Sequence, residues 1–246
     1  MRIQTTFPRP TVVGQILAAA TLVALLMAPA LASSIDSFIN PSTSNVEVVD
    51  SVLLSGDYEI RHVIDLGQGN YETTYLTANG DDELEPRIVI ESDGTVRIVY
   101  WRDLTTPDAL VVSYDPVAES WSAERTLNGS AGGKAPELAY DGTDSWFVFE
   151  TGESAGSSVD VGIIAEEPDP INTVRLGTND GSTAADPIIV AESGSLWVTW
   201  VDDGTYVAWS EYDSANDSWS TAQLEDYSAD DVSSARARIR DDVLGL

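Results

Sequence analysis

Tyr114-Asp115-Pro116-Val117-Ala118-Glu119-Ser120-Trp121-Ser122 returns 98 residues later as Tyr212-Asp213-Ser214-Ala215-Asn216-Asp217-Ser218-Trp219-Ser220. Tyr-Asp and Ser-Trp-Ser keep their identity and their spacing in both copies. The displacement is two steps of about 49 residues, the length of one four-stranded sheet with its turns. The chain is therefore read as a repeat protein.

The unit before the first copy is a hairpin pattern. Glu85-Pro86-Arg87-Ile88-Val89-Ile90-Glu91 leads through Ser92-Asp93-Gly94 into Thr95-Val96-Arg97-Ile98-Val99-Tyr100-Trp101. β-Branched and aromatic residues fill both arms, Asp-Gly supplies the positive φ of a tight turn, and Pro86 sits at a strand entrance where no ladder bond is lost. The phrase recurs from Ala135-Pro136 through Asp141-Gly142 to Trp146 and Phe149, and from Asp186-Pro187 through Ser193-Gly194 to Trp197 and Trp200. The three prolines are 50 and 51 residues apart. Third and fourth strands are predicted at 109–114 and 121–127, 159–165 and 173–176, and 206–212 and 219–224.

Arms that are apolar on both faces belong to sheets stacked between other sheets, so the expected fold is all-β, a β-propeller of four-stranded blades. Complete blades are expected over 81–130, 131–180 and 181–230, inside a propeller domain spanning 46–246. Asp65 precedes Tyr71 by six residues, as Asp115 precedes Trp121, so 46–80 reads as a partial blade and 33–45 as an N-terminal linker. Ala235-Arg236-Ala237-Arg238-Ile239-Arg240 opens a second partial blade over 231–246. Two closures fit: the C-terminal strand completes the N-terminal blade in a four-bladed ring, or the propeller is an incomplete six-bladed one whose exposed edges a second copy would cover.

Arg2 and Arg9 precede an apolar stretch from 12 to 28, followed by Ala30-Leu31-Ala32, a small-x-small site. Residues 1–32 are read as a signal peptide cleaved before Ser33, which makes the chain secreted or periplasmic and free of the membrane after cleavage. An uncleaved anchor is the rival reading, but the apolar core from 16 to 28 is short for a span. The remaining 214 residues carry 10 basic and 41 acidic side chains, a formal charge of −31. Such a field repels nucleic acid and anionic lipid. It implies a surface adapted to salty water or, as the sharper alternative, calcium binding. There is no cysteine, so packing of seven Trp, nine Tyr and the aliphatic residues must hold the fold.

Asp115 and Asp213 stand where a third strand turns into a fourth and suit acceptors of turn N–H groups, while Trp121 and Trp219 suit packing between sheets. The succession of Pro-led strand, Asp-Gly turn, Trp-bearing strand, Tyr-Asp and Ser-Trp-Ser resembles the sialidase-like propellers with bacterial neuraminidase repeats, over about residues 65–246. That family's Asp-box is Ser-x-Asp-x-Gly-x-Thr-Trp; Ser113-Tyr114-Asp115 and Trp121 keep its ends without its Gly and Thr. The resemblance implies a fold. Its arginine triad and tyrosine nucleophile find no matching set here, and Arg87, in Glu85-Pro86-Arg87-Ile88, inherits no catalytic role.

In a propeller the loops after second strands gather at one mouth of the central channel. The candidate binding residues there are Trp101, Arg102, Asp103, Glu150, Trp200, Asp202 and Asp203. Carboxylates beside aromatics suit sugar hydroxyls or a calcium ion, though in a chain this acidic they equally describe solvated loops. His62 is the single histidine, which excludes a multi-histidine zinc site and leaves it as an ordinary strand residue. The function expected is an exported, non-catalytic propeller recognising a glycan or a protein partner. The alternatives are a truncated sialidase-type glycoside hydrolase and a structural repeat of a surface assembly.

Overall fold

The computed structural model describes residues 32–127, 132–151, 158–164, 171–177, 183–192, 195–204 and 206–226. Residues 1–31 of the expected signal peptide 1–32 and the C-terminal partial blade 231–246 lie outside them. All described elements are strands, and no described helix is long and apolar enough to cross a membrane.

Sheet I runs β1 (Ala32–Ile39), β2 (Val46–Leu54), β3 (Asp57–Gly67), β4 (Asn70–Tyr75). Sheet II runs β5 (Glu83–Ile90), β6 (Val96–Arg102), β7 (Asp108–Asp115), with the outer place shared by β8 (Ser120–Trp121) and β9 (Arg125–Thr126). Sheet III runs β10 (Lys134–Tyr140), β11 (Ser145–Thr151), β12 (Ser158–Ile163), β13 (Thr173–Leu176). Sheet IV runs β14 (Ala184–Glu192), β15 (Ser195–Asp202), β16 (Tyr206–Asp213), then β17 (Ser218–Trp219) and β18 (Gln223–Asp226). Each sheet is an antiparallel meander, and the first strands β1, β5, β10 and β14 pack in sequence, as the inner strands of propeller blades do.

Sheet I corrects the expected linker. β1 occupies most of 33–45 and pairs with β2 from Ile35–Asp50 to Ile39–Val46, so the N-terminal sheet is complete from its own strands. The inner place left open for a C-terminal strand is already filled. The strand is held by tertiary contact: Asp36 Oδ2 accepts the Ile88 N–H of β5 at 3.0 Å.

The outer strands of sheets II and IV are interrupted where one strand was predicted. Ser122 Oγ accepts the Ser113 N–H at 3.0 Å, and Ser220 Oγ accepts the Glu211 N–H at 3.0 Å. A side-chain oxygen thus replaces a ladder carbonyl and lets the chain step between β8 and β9 and between β17 and β18. The aspartates before them cap the turns, Asp115 Oδ1 accepting from Val117 at 2.7 Å and Asp213 Oδ1 from Ala215 at 3.0 Å. Tyr114 and Tyr212 lie directly opposite Trp121 and Trp219. Asp65 itself lies opposite Tyr71, one register position away from the pattern in the later sheets.

Each later inner strand carries a bulge before its proline. Glu85, Ala135 and Asp186 take φ near +50° (51°, 48°, 49°), and the register shifts across each. Proline has no N–H to leave unpaired, so the extra residue fits there.

Three cores glue the sheets. Val49 and Ile60 of sheet I meet Ile88, Ile98 and Tyr100 of sheet II. Val99 and Val111 meet Phe147 and Phe149 of sheet III, and Trp146 and Val148 meet Leu196, Val198 and Trp200 of sheet IV. Full burial of each such side chain contributes about 1.5–3 kcal/mol.

Candidate functional site

The residues expected at the channel mouth have very different surroundings. Arg102 closes β6 and is clamped: its Nε donates to Glu83 Oε1 at 2.8 Å and its Nη2 to the two Glu124 oxygens at 2.7 and 2.9 Å. Tyr100 donates its hydroxyl to the same Glu124 carboxylate. Burial alone would lower the guanidinium pKa, but the bonds to Glu124 and Glu83 carry it above its ordinary value. Arg102 is a cationic tie between the inner strand of sheet II and the segment before β9.

Glu150 pairs with Lys134 at 3.2 Å across β10 and β11, and burial pushes its carboxyl up against the pull of that lysine. Trp200 is 1% exposed within the core between sheets III and IV, and Asp202 is buried. Trp101 is half-buried, its indole N–H without a partner among the described residues. Asp103 and Asp203 are exposed; Asp103 donates its N–H to the Asp82 carbonyl and Asp203 Oδ1 accepts the Thr183 N–H, both at 2.9 Å. Arg102, Glu150 and Trp200 are therefore committed to the fold. The strands run on to Arg102, Thr151 and Asp202, which places Trp101, Arg102, Glu150, Trp200 and Asp202 in strands and leaves Asp103 and Asp203 in the loops that follow.

The same economy governs the inner strands. Asp36, Arg87 and Glu137 follow one another at intervals of 51 and 50 on β1, β5 and β10. Arg87 Nη2 meets Glu137 Oε1 at 3.0 Å, and burial raises the Asp36 pKa against the N–H bonds of Ile88 and Ser37 and the charge of Arg87. Arg61 pairs with Asp50, His62 with Glu47, Arg97 with Glu91 and Arg175 with Asp160. Among the described residues, Arg61, Arg87, Arg97 and Arg102 are held against carboxylates, as buried charges require.

An open site lies elsewhere, between sheets I and II. Glu47, Arg97 and Trp146 hold corresponding places, each two residues before the valine (Val49, Val99, Val148) that pairs with Asp36, Arg87 or Glu137. In sheet III, Trp146 faces sheet IV: Tyr212 and Trp219 stand 4.8 and 6.0 Å from its ring, and its indole N–H donates to Asp141 at 2.8 Å. In sheet I, Glu47 takes that place with no ring to fill it. Its Oε1 accepts from Asn40 Nδ2 at 2.7 Å and its Oε2 meets His62 Nε2 at 2.9 Å, all three side chains buried.

A cavity of about 290 Å³ remains, lined by Glu47, His62, Asn45, Thr74, Glu72, Asp93, Tyr114 and Trp121. Trp121 stands 5.3 Å from both His62, edge to face, and Tyr114. On the other side of Tyr114 and Trp121 a groove of about 520 Å³ continues over Ser113, Ser120, Ser122 and Arg125. Half-buried aromatic rings beside hydroxyls, amides and carboxylates form a wall that accepts the apolar face of a small polar ring and the hydrogen bonds of its rim. Among the described residues no group of three or more His, Cys, Asp or Glu side chains is placed to hold a metal. Sequence reading placed His62 and Trp121 in the scaffold and passed over Glu47. The available signal was the substitution of Glu47 for Trp146 at one position of the repeat, hidden because the first strand of sheet I was not recognised.

No protein-family model and no curated protein sequence matches the chain. Among solved structures it is similar to a protein of unknown function from Dyadobacter fermentans, with a TM-score of 0.59 and 8% identity over 79% of this chain and 69% of that one. It is similar to Trypanosoma rangeli sialidase in complex with sialic acid, with a TM-score of 0.55 and 10% identity over 77% and 37% of the two chains. An exo-β-1,3-galactanase from Clostridium thermocellum gives a TM-score of 0.53 and 10% identity over 80% and 49%. The chain thus spans about half or less of either enzyme's length. Likeness at such identities is one of fold, and with the sheet order above it defines an all-β chain of β-propeller architecture.

Proposed function

We propose that the chain is an exported propeller, secreted or periplasmic, that recognises a carbohydrate without turning it over, and that the crevice between sheets I and II is where the sugar sits. The observation that carries this is the Trp121-walled cavity over the buried floor of Glu47, His62 and Asn40, where sheet III has Trp146 in the corresponding place and the groove beside Trp219 lies over Val174, Leu176 and Trp200 instead. A pyranose ring has an apolar face for Trp121 and hydroxyls that suit Glu72, Asp93, Thr74 and Asn45. Glu47, His62 and Asn40 satisfy one another and hold the floor rigid rather than presenting a paired acid and base. The fold shared with two enzymes acting on carbohydrates supports the ligand class by analogy. Its charge directs the partner away from nucleic acid and anionic lipid.

A glycan array probed with the full chain at several salt concentrations tests the reading. Binders that are lost in Trp121→Ala and not hydrolysed by the wild type are expected. Binding by neither protein, or steady release of sugar by the wild type, overturns it.

A further inference from the structure

Glu59 of β3 is a buried carboxylate, 3% exposed, with no basic partner among the described residues. Its Oε1 accepts the Asn79 N–H at 3.1 Å, and its Oε2 is buried with no hydrogen-bond partner among the described residues. Asn79 turns its side chain the other way, donating from Nδ2 to Glu83 Oε1 at 2.8 Å. Glu83 is 0% exposed and its Oε2 also has no partner among the described residues. One asparagine thus holds two buried carboxylates, each with one oxygen that no donor among the described residues meets.

The charge around them does not close. Arg102 meets Glu83 Oε1 but is shared with Glu124 and, at 3.8 Å, with Asp81, so Glu59, Glu83, Glu124, Asp81 and Arg102 sum to a formal charge of −3. An unneutralised carboxylate in the interior is strongly unfavourable, and it takes a proton or a cation. We propose that Glu59 and Glu83, bridged by Asn79, hold a calcium ion at the junction of sheets I and II. The donors on offer are oxygens alone, which selects a hard cation over zinc or copper. Calcium tolerates an irregular set of two carboxylates completed by neutral oxygens, whereas magnesium asks for near-octahedral geometry and gives up its water reluctantly. This site is independent of the crevice and of any sugar.

The test is calorimetric titration of calcium into the full chain stripped with chelator, in about 0.5 M sodium chloride to screen the acidic surface. About one calcium per chain is expected, with a melting temperature that rises as the site fills. Glu59→Gln keeps the shape and removes the charge; it is expected to weaken binding by roughly 10-fold or more, since affinity follows the charge count of the ligands. A wild type that binds no calcium under these conditions overturns the proposal by itself, whether or not the variant folds. So does a Glu59→Gln chain that binds as tightly as the wild type. If calcium leaves the wild type unchanged and Glu59→Gln melts higher, a proton occupies the place and the proposal is wrong.

Discussion

The crevice between sheets I and II and the crevice between sheets III and IV share one wall and differ in the other. Both present Tyr-Asp and Ser-Trp-Ser from an outer strand: Tyr114 and Trp121 in the first, Tyr212 and Trp219 in the second. Opposite them stand Glu47 with His62 in the first and Trp146 in the second. An indole there covers the floor with aromatic contact and leaves a groove over Val174, Leu176, Trp200 and Trp219; a carboxylate held by histidine and asparagine gives the first crevice a polar floor. The repeated motif is thus scaffold in both places, and the residue facing it decides whether that scaffold also becomes a binding wall.

The largest expected effect lies at Trp146. Trp146→Ala removes a buried indole from the core between sheets III and IV and should cost about 3–5 kcal/mol, seen as a lowered denaturation midpoint. Trp121→Ala, at a half-exposed ring, should cost about 1–2 kcal/mol while abolishing ligand binding. Equal losses of stability in the two variants would erase the distinction between the crevices.

Next comes packing in the core between sheets II and III. A Cβ on Gly162 would meet the Asn172 carbonyl and stand 2.8 Å from Phe147 Cζ, so Gly162→Ala should lose about 1–3 kcal/mol, again read from denaturation. Glu47→Gln keeps the size of the floor but withdraws an acceptor from His62 and should lose about 1–3 kcal/mol, with weakened sugar binding. Stability unchanged in Glu47→Gln would show that the polar floor is not a built feature.

A smaller effect is expected with pH. Burial raises the Glu150 carboxyl above its ordinary value of 4.5, so the folded chain binds its proton more readily than the unfolded chain. Stability from this group is therefore present below the ordinary value and falls as pH rises through the raised one. Glu150→Gln should flatten that part of the stability profile, and an unchanged profile would contradict it.

Much of the fold was legible because hairpins with Asp-Gly turns and β-branched arms fix local structure without help. β1 was not, because Ser33-Ser34-Ile35-Asp36-Ser37 is polar in composition and becomes a strand through pairing with β2 and the bond from Ile88 to Asp36. The split outer strands were missed because Ser122 and Ser220 act through side-chain oxygens that a propensity reading ignores. The burial of several channel-mouth candidates has a geometric cause. The strand β15 continues to Asp202, so Trp200 alternates inward with Leu196 and Val198 into the core. Arg102 looked free for a ligand because its partners Glu83 and Glu124 lie 19 and 22 residues away in sequence. The crevice required knowing that Glu47 and Trp146 occupy one register position, and register is a property of paired strands.

The most direct measurement is a calorimetric titration of the wild type, Trp121→Ala and Trp219→Ala with a sugar identified on the array. The open crevice predicts that Trp219→Ala binds like the wild type and that Trp121→Ala does not bind. Binding retained by Trp121→Ala, or lost in both variants alike, would contradict the assignment of the site to the crevice between sheets I and II.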